Sequence, residues 1–208
     1  MCSREGIPTN AEPRTITGIV LAGGRSRRFG SDKLVAAYGG RPLLHLPIEV
    51  LASICDEVIV AVAPGKAPTV PKIDVPIRVA YDAKEGEGPL AGLLAALRLT
   101  WTPLAMVVGG DMPELKDRVL VGMQRVIEGR EDLEAVVLSD AKGPSPLPVV
   151  LHVAPARREA IKLMKAGSAG LRDLLLELQV AAIDEVDWRA MDPFGGTLHD
   201  VDVPGDLR

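Results

Sequence analysis

ITGIVLAGGRSRRFGSDK, residues 16–33, is the segment from which the fold can be predicted most directly. Its first part, Ile16–Leu21, is apolar and rich in β-branched residues, and it stops at Gly23-Gly24, which predicts a buried strand ending in a loop. A strand that runs into glycines leaves backbone N–H groups where no Cβ blocks a phosphate. The loop also carries positive charge on Arg25, Arg27, Arg28 and Lys33. We therefore expect it to bind a triphosphate, although its spacing matches neither GxxxxGK[ST] nor GxGxxG.

The rest of the chain alternates between strand-like and helix-like patterns. Short apolar runs predict strands at 58–62, 77–80, 104–108, 135–138, 147–152 and from about 180. Helical patterns cover 43–54, opened by Pro42, and 88–99, 114–128, 155–166 and 169–178. Prolines near 147–152 indicate an edge strand or a late start. This alternation predicts an α/β fold, a Rossmann-like three-layer sandwich whose mostly parallel sheet is covered on both faces.

Composition excludes several classes of protein. The 208 residues suit one domain at 15–208 after a flexible tail at 1–14. A net charge of −4 and only 3% aromatic residues give no sign of nucleic-acid binding. The sequence has no apolar run of membrane-spanning length and no signal peptide, so we expect no membrane contact. With only Cys2 and Cys55, a disulfide framework is excluded, and a cytoplasmic location is expected.

Two predicted strands are followed by acidic residues. Asp82 comes directly after the strand that ends at Tyr81, and Asp111 follows the strand 104–108. Open α/β sheets bind ligands at the carboxyl ends of their strands. A carboxylate there suits Mg²⁺, which takes one or two carboxylates together with phosphates and water. Asp111 is therefore the predicted metal ligand, and a helix cap is the alternative reading.

Gly88-Pro89-Leu90 begins the helix that follows Asp82. Free N–H groups at the start of a helix, beside small residues, allow a base or ribose to approach closely. The alternative is that the glycine and proline here only mark the start of a helix.

Four motifs carry a resemblance to a known family. LAGGRSRRFGSDK (21–33) resembles the signature LAGGxSxRMGxDK of the molybdenum cofactor guanylyltransferases, with Phe29 in place of methionine. These enzymes belong to a wider family of nucleotidyltransferases. Asp82 with GPLAG (88–92) resembles a second motif, and GDMP (110–113) a third, with Gly110 in place of cysteine. DVDVPGDL (200–207) resembles the C-terminal NVNTPEDL, although aspartate at these positions is common in related cytidylyltransferases.

The resemblance implies a nucleotidyltransferase fold and a reaction. In the implied reaction, GMP is transferred from GTP to the phosphate of molybdenum-molybdopterin, and pyrophosphate is released. It implies catalytic roles for Arg28, Lys33 and Asp111, and a Mg²⁺ ion on Asp111. Alternation along Asp200–Val203 puts Asp200 and Asp202 on one face, so Asp202 is a second candidate for the metal, with a turn residue as the alternative. The nucleotide-binding residues it implies are Leu21, Ala22, Gly23, Gly24, Lys33, Asp82, Gly88, Pro89 and Leu90.

The middle of the chain conforms least to the family. AGSAGLR (166–172) resembles AGERSLR without its Glu-Arg pair. This region is expected to hold the pterin, with Arg172 either on its phosphate or simply solvated on a helix. The resemblance also implies transient contacts with proteins of cofactor biosynthesis or with apoenzymes.

Two alternatives stay open. One is a related nucleotidyltransferase that uses CTP with the same pterin, or that uses another phosphorylated acceptor. Cytidylyltransferases tend to read AAG where this chain has Ala22-Gly23-Gly24, which favours GTP. The other is a nucleotide-binding protein without turnover, which the missing Glu-Arg pair allows although Arg28, Lys33 and Asp111 are intact.

Overall fold

The computed structural model describes residues 16–23, 33–82, 88–168 and 170–207. The tail at 1–14, Gly24 and Arg28, for which the sequence makes predictions, lie outside these ranges. The strands are β1 (Ile16–Leu21), β2 (Ala37–Tyr38), β3 (Arg41–Pro42), β4 (Glu57–Val62), β5 (Ile77–Tyr81), β6 (Leu104–Gly109), β7 (Ala135–Asp140), β8 (Gly143–His152) and β9 (Val180–Ile183). The α-helices are α1 (His45–Ile54), α2 (Pro89–Leu99), α3 (Asp117–Glu128), α4 (Val153–Lys165), α5 (Leu171–Leu176) and α6 (Glu185–Arg189).

The main sheet has seven strands in the order β5-β4-β1-β6-β8-β7-β9. All of them run in one direction except β8, which is antiparallel to both of its neighbours. Every residue of β4 and β6 is buried, because helices cover both faces of the sheet. Such strands read as continuous apolar runs, and this is why the sequence reveals them. The predicted α/β class with a mostly parallel sheet is confirmed.

Two apolar layers flank the sheet. Helices α1 and α3 pack on one face and α2, α4 and α5 on the other, each group with its own core cluster. Helix α1 lies very close to β1: a Cβ at Gly18 would be 2.9 Å from the Cβ of Leu51. A glycine in the middle of β1 is therefore required by packing. Within the described ranges, no helix combines the length and apolar character that membrane crossing requires.

The start of α1 differs from the prediction. Pro42 does not open the helix but pairs in the short hairpin of β2 and β3, and α1 begins at His45. Pro47 lies in the first turn of α1, where a missing backbone N–H leaves no helical bond unmade. Smaller differences affect α3, which begins at Asp117, and α4 and α5, which cover Val153–Lys165 and Leu171–Leu176.

Strand β8 begins earlier than predicted and lies inside the sheet. Its last residues, Val149–His152, pair with β6 on one side, and β7 is its neighbour on the other. The first part, from Gly143, extends beyond the pairing with β6 and pairs only with β7. Pro144, Pro146 and Pro148 all precede the residues that pair with β6, so this part is a local edge where a missing N–H is tolerated.

A buried polar cluster ties the strands together at the amino ends of β1, β4 and β6. Thr17 Oγ1 donates to Glu57 Oε1 at 3.2 Å and lies 2.8 Å from Thr102 Oγ1. Arg78 Nε is 3.4 Å from Glu57 Oε2, whose side chain is only 5% exposed. Because a buried carboxylate is stable only with such partners, this cluster fixes the pairing of β4 with β1 and β5.

Glu57→Gln is expected to lower the free energy of unfolding by about 2–4 kcal/mol, because it leaves Arg78 without its partner in a buried cluster. Urea denaturation measures the change. The matched control is Glu185→Gln, which breaks an exposed ion pair with Arg189 and should have no resolvable effect. Equal effects of the two substitutions would contradict this role of Glu57.

Candidate active site at the carboxyl ends of the strands

Backbone hydrogen bonds hold the ends of neighbouring strands together. Ala22 N donates to Ala61 O at 2.8 Å, Gly110 N to Leu21 O at 3.0 Å and Asp82 N to Val62 O at 3.1 Å. The residues that follow β1, β5 and β6 are thereby brought to one edge of the sheet. This is the edge at which open α/β sheets bind their ligands.

The carboxylate of Asp82 lies between two glycines. A Cβ at Gly92 would be 3.1 Å from Asp82 Oδ1, and one at Gly23 would be 3.7 Å from Asp82 Oδ2. Gly88 caps α2 with a φ of 86°, a conformation that favours glycine, and Pro89 opens the helix. The structure thus brings Gly23, Asp82 and the start of α2 together, as the sequence predicts.

Three of the residues predicted to contact the nucleotide have side chains that pack into the core. The side chain of Leu90 is fully buried in the core beneath α2, and Ala22 is only 5% exposed. Leu21 packs against the same core as Leu90. Because these side chains pack against the protein interior, only backbone groups could contact a ligand, and Ala22 N and Leu21 O are already bonded to Ala61 O and Gly110 N.

Lys33 and Asp111 form the centre of the site. Lys33 Nζ donates to Asp111 Oδ2 at 2.6 Å and to Val201 O at 2.9 Å, and it lies 4.0 Å from Asp202 Oδ1. The side chain of Lys33 is 17% exposed and that of Asp111 27%. A Cβ at Gly109 would be 2.5 Å from Asp111 Oδ1, so a larger residue at 109 would require this carboxylate to shift.

The C-terminal segment differs from the prediction, because Asp200 and Asp202 do not alternate along a strand. Asp206 Oδ2 instead accepts hydrogen bonds from Asp202 N at 2.8 Å and Val203 N at 2.9 Å, which hold the segment in a turn. These bonds lower the pKa of Asp206. The side chain of Asp202 is 61% exposed, and its Oδ1 lies 4.0 Å from Lys33 Nζ at the margin of the site.

Asp200 is a site residue to which the sequence assigns no role. It lines a cleft of about 380 Å³ together with Asp111. Burial, and then the negative charges of Asp202 and Asp111, raise the pKa of Asp200. The repeated aspartates of DVDV are the signal that could have drawn attention to it. Other polar residues that line the cleft are Asp140, Lys142, Ser145 and Arg172.

Arg172 is fixed across this cleft. Its Nη1 donates to Pro144 O at 3.2 Å, so the helix arginine reaches the first part of β8. The cleft therefore has acidic residues from two strand ends and basic residues from the β7–β8 turn and α5.

A network of hydrogen bonds holds the C-terminal wall of the cleft in place. Asp192 is fully buried, and its Oδ2 accepts from Thr197 N at 2.7 Å and Thr197 Oγ1 at 2.8 Å. Val201 N donates to Asp111 O at 2.9 Å, and the buried Val201 side chain packs against Tyr38 and Leu43. The contacts of Val201 with Asp111, Tyr38 and Leu43 join residues far apart in sequence, so no local pattern reveals them.

The donor set at Asp111 suits a hard cation. Asp111, Asp200 and Asp202 offer carboxylate oxygens whose mutual repulsion a cation would relieve. Among the described residues, no cluster of three or more His, Cys, Asp or Glu side chains forms a ready-made metal site. Mg²⁺ does not need one, because it usually keeps waters and takes phosphate oxygens as ligands.

Comparison with known proteins identifies the family. Residues 18–182 match the family described as MobA-like NTP transferase domain. The chain belongs to this family of nucleotidyltransferases. A "Probable molybdenum cofactor guanylyltransferase" from Chloroflexus aggregans is 32% identical over 203 residues, which cover 93% of this chain and 92% of the relative. A relative of the same name from Deinococcus radiodurans is 35% identical and covers 76% of this chain and 77% of its own.

Solved structures share the fold. "Molybdopterin-guanine dinucleotide biosynthesis protein A" from Archaeoglobus fulgidus superposes with a TM-score of 0.73 at 21% identity, covering 92% of this chain and 94% of that one. "2-C-methyl-D-erythritol 4-phosphate cytidylyltransferase" from Thermus thermophilus has a TM-score of 0.61 at 18% identity, with 91% and 94% covered. The family match ends at residue 182, so the segment that carries Asp192 and Asp200 lies beyond it.

Asp192→Asn is expected to destabilise the protein most at neutral pH. Burial alone would raise the pKa of Asp192, but hydrogen bonds from Thr197 and the positive charge of Lys116 outweigh it and lower the pKa. A pKa below the unfolded value of about 3.9 adds stability above that pH, and this stability is lost as the pH falls through the folded pKa. The gap in urea midpoint between the wild type and Asp192→Asn should therefore narrow from about pH 7 to about pH 3.5.

The control is Asp74→Asn, an exposed aspartate in a surface loop, for which the gap should be small at both pH values. A gap for Asp192→Asn that stays equally wide in acid would show that the charge of Asp192 is not what stabilises the wall.

Proposed function

We propose that this protein transfers GMP from GTP to the phosphate of molybdopterin and releases pyrophosphate. The observation that carries the proposal is the position of Lys33 and Asp111, between the glycine-lined strand ends and the cleft. The names of the most similar relatives support GTP as donor and the molybdenum cofactor as acceptor. The chain has only two cysteines, and Cys55 is buried, which is compatible with a reaction in the cytoplasm.

Charge neutralisation is the main chemical task in this reaction. An oxygen of the acceptor phosphate forms a bond to the α-phosphorus of GTP, and the bond from that phosphorus to the bridging oxygen breaks. Two anions must meet while a third leaves, so catalysis rests on positioning and electrostatic stabilisation. Backbone N–H groups after β1, together with Arg28 and Lys33, would hold the β- and γ-phosphates and the leaving pyrophosphate. A phosphate monoester is already ionised near neutral pH, so no general base is needed.

The residues present at the strand ends suit a Mg²⁺ ion. Asp111 would hold it, with Asp202 as the second candidate, while the nucleotide phosphates supply further oxygens. When bound, such an ion neutralises phosphate charge and orients the α-phosphate. Asp82 and the start of α2 would hold the nucleoside on the other side of Gly23.

The cleft that Asp111 shares with Arg172 would hold the acceptor. It opens directly beside the metal candidate, which is where the attacking phosphate must lie. Arg172 is the proposed contact to acceptor oxygens, since its guanidinium is anchored at the cleft by Pro144 O. The proposed function also includes transient contacts with other proteins of cofactor biosynthesis or with apoenzymes.

Asp111→Asn and Lys33→Ala should each reduce turnover by about 100-fold or more while the protein stays folded, because each removes charge stabilisation of the reacting phosphates. The measurement is pyrophosphate release with Mg²⁺ and each of the four nucleoside triphosphates, with and without molybdopterin. Release that needs both GTP and molybdopterin is expected for the wild type.

The matched control is Asp132→Asn, an exposed carboxylate that precedes β7 at the opposite end of the sheet, and it should keep full turnover. Release with CTP instead of GTP would assign the protein to the cytidylyltransferases. Near-wild-type turnover in either active-site variant would overturn the assignment of the site. If the wild type releases no pyrophosphate with any of the four nucleotides, a nucleotide-binding role without turnover is favoured.

Arg172→Gln should raise the KM for molybdopterin by about tenfold, the loss expected for one charge-assisted hydrogen bond. The KM for GTP should not change, because the nucleotide lies on the other side of Asp111. Steady-state kinetics with each substrate varied in turn separates the two effects. Arg157→Gln, on an arginine near the start of α4, is the control. A change in the KM for GTP, or none for the acceptor, would contradict the assignment of the cleft.

A further inference from the structure

The ammonium group of Lys33 lies in a cradle of oxygens. Its Nζ is 2.6 Å from Asp111 Oδ2, 2.9 Å from Val201 O and 4.0 Å from Asp202 Oδ1. With the side chain only 17% exposed, the group is held inside the site and is not a solvated surface charge. Carboxylate and carbonyl oxygens are also the ligands that divalent cations such as Mg²⁺ and Mn²⁺ prefer.

The ammonium and a divalent cation compete for this cradle. Both are positive, both need Asp111, and a lysine ammonium is a compact point charge. We infer that Lys33 occupies the cation position in the nucleotide-free enzyme, and that the triphosphate must draw Lys33 away before a divalent cation can bind Asp111 tightly. This inference rests on the proposed function and goes beyond it, because it couples the affinity for the cation to nucleotide binding.

The side chain of Lys33 can leave the cradle while the backbone around it stays in place. It is the first residue of a short 3₁₀ turn, Lys33–Val35, whose backbone is tied to the helix entrance by a bond from Leu44 N to Leu34 O at 3.0 Å. The four-carbon stem can therefore turn while the backbone stays in place. Val201 also stays anchored, because its N–H still bonds to Asp111 O and its side chain is buried.

The exchange couples the two ligands. Phosphates that attract Lys33 free a carboxylate oxygen for the cation, and a cation on Asp111 in turn releases Lys33 to the phosphates. Such coupling is reciprocal by thermodynamic linkage. Free divalent cation should consequently bind weakly to the enzyme as long as no nucleotide is present.

The test is Mn²⁺ binding to the nucleotide-free protein, measured by electron paramagnetic resonance. Lys33→Met removes the ammonium but keeps most of the side-chain volume, and it should bind Mn²⁺ about tenfold more tightly than the wild type, within the usual range of site coupling. Lys33→Gln repeats the test with a polar side chain in case the apolar variant does not fold. Lys142→Met is the matched control: it removes one positive charge from the lining of the same cleft, and it should change the affinity far less.

The outcomes separate this inference from the proposed function. If Lys33→Met and Lys33→Gln bind Mn²⁺ no better than the wild type while Asp111→Asn abolishes binding, the proposed exchange between Lys33 and the cation is wrong. Asp111 would still be the metal ligand in that case. An equal gain in Lys142→Met would also overturn the exchange, since it would reduce the effect to net charge. If Asp111→Asn leaves binding unchanged, the cation does not use Asp111 and both ideas fail.

Discussion

The bond from Gly110 N to Leu21 O joins the end of β6 to the end of β1, and the rest of the site depends on this junction. It places Asp111 beside the loop that begins at Gly23, and Ala22 in turn is bonded to β4. The approach is close: a Cβ at Gly110 would be 3.2 Å from Leu44 Cδ1 and 3.3 Å from Leu21 O, so a larger residue would need its neighbours to shift slightly. Backbone packing at three strand ends thus brings together the N–H groups that we propose bind phosphate and the carboxylate that we propose binds the metal.

Much of the fold and half of the site follow from local sequence. Buried parallel strands are apolar runs, and the glycines after β1 and before α2 mark loops, so Gly23, Asp82 and Asp111 could be placed at one edge. The C-terminal wall could not, because Asp192, Thr197 and Asp206 act through contacts that no periodicity encodes. The hairpin of β2 and β3 and the early start of β8 were not predicted, for a related reason. Their tertiary surroundings tolerate prolines that local sequence rules assign to a helix start or to the edge of a sheet.

Electrostatics explains why this site needs its cations. Asp111, Asp200 and Asp202 form an acidic edge in a protein of net charge −4, and a triphosphate brings further negative charge to it. Without positive charge the two would repel each other. Lys33 lies between them, and its contacts to Asp111 and Val201 connect the nucleotide loop with the C-terminal wall. In the proposed exchange, this one side chain links cation binding at the acidic edge to nucleotide binding.

The most direct test of the account is a crystal structure of the protein with Mn²⁺ and a GTP analogue that cannot be cleaved between its α- and β-phosphates. Anomalous scattering locates the metal independently of the protein atoms. The account predicts Mn²⁺ bound to Asp111 and to the phosphates, with Lys33 Nζ moved from Asp111 to the β- or γ-phosphate. A nucleotide bound away from Gly23 and Asp82, or a metal that does not touch Asp111, would contradict it.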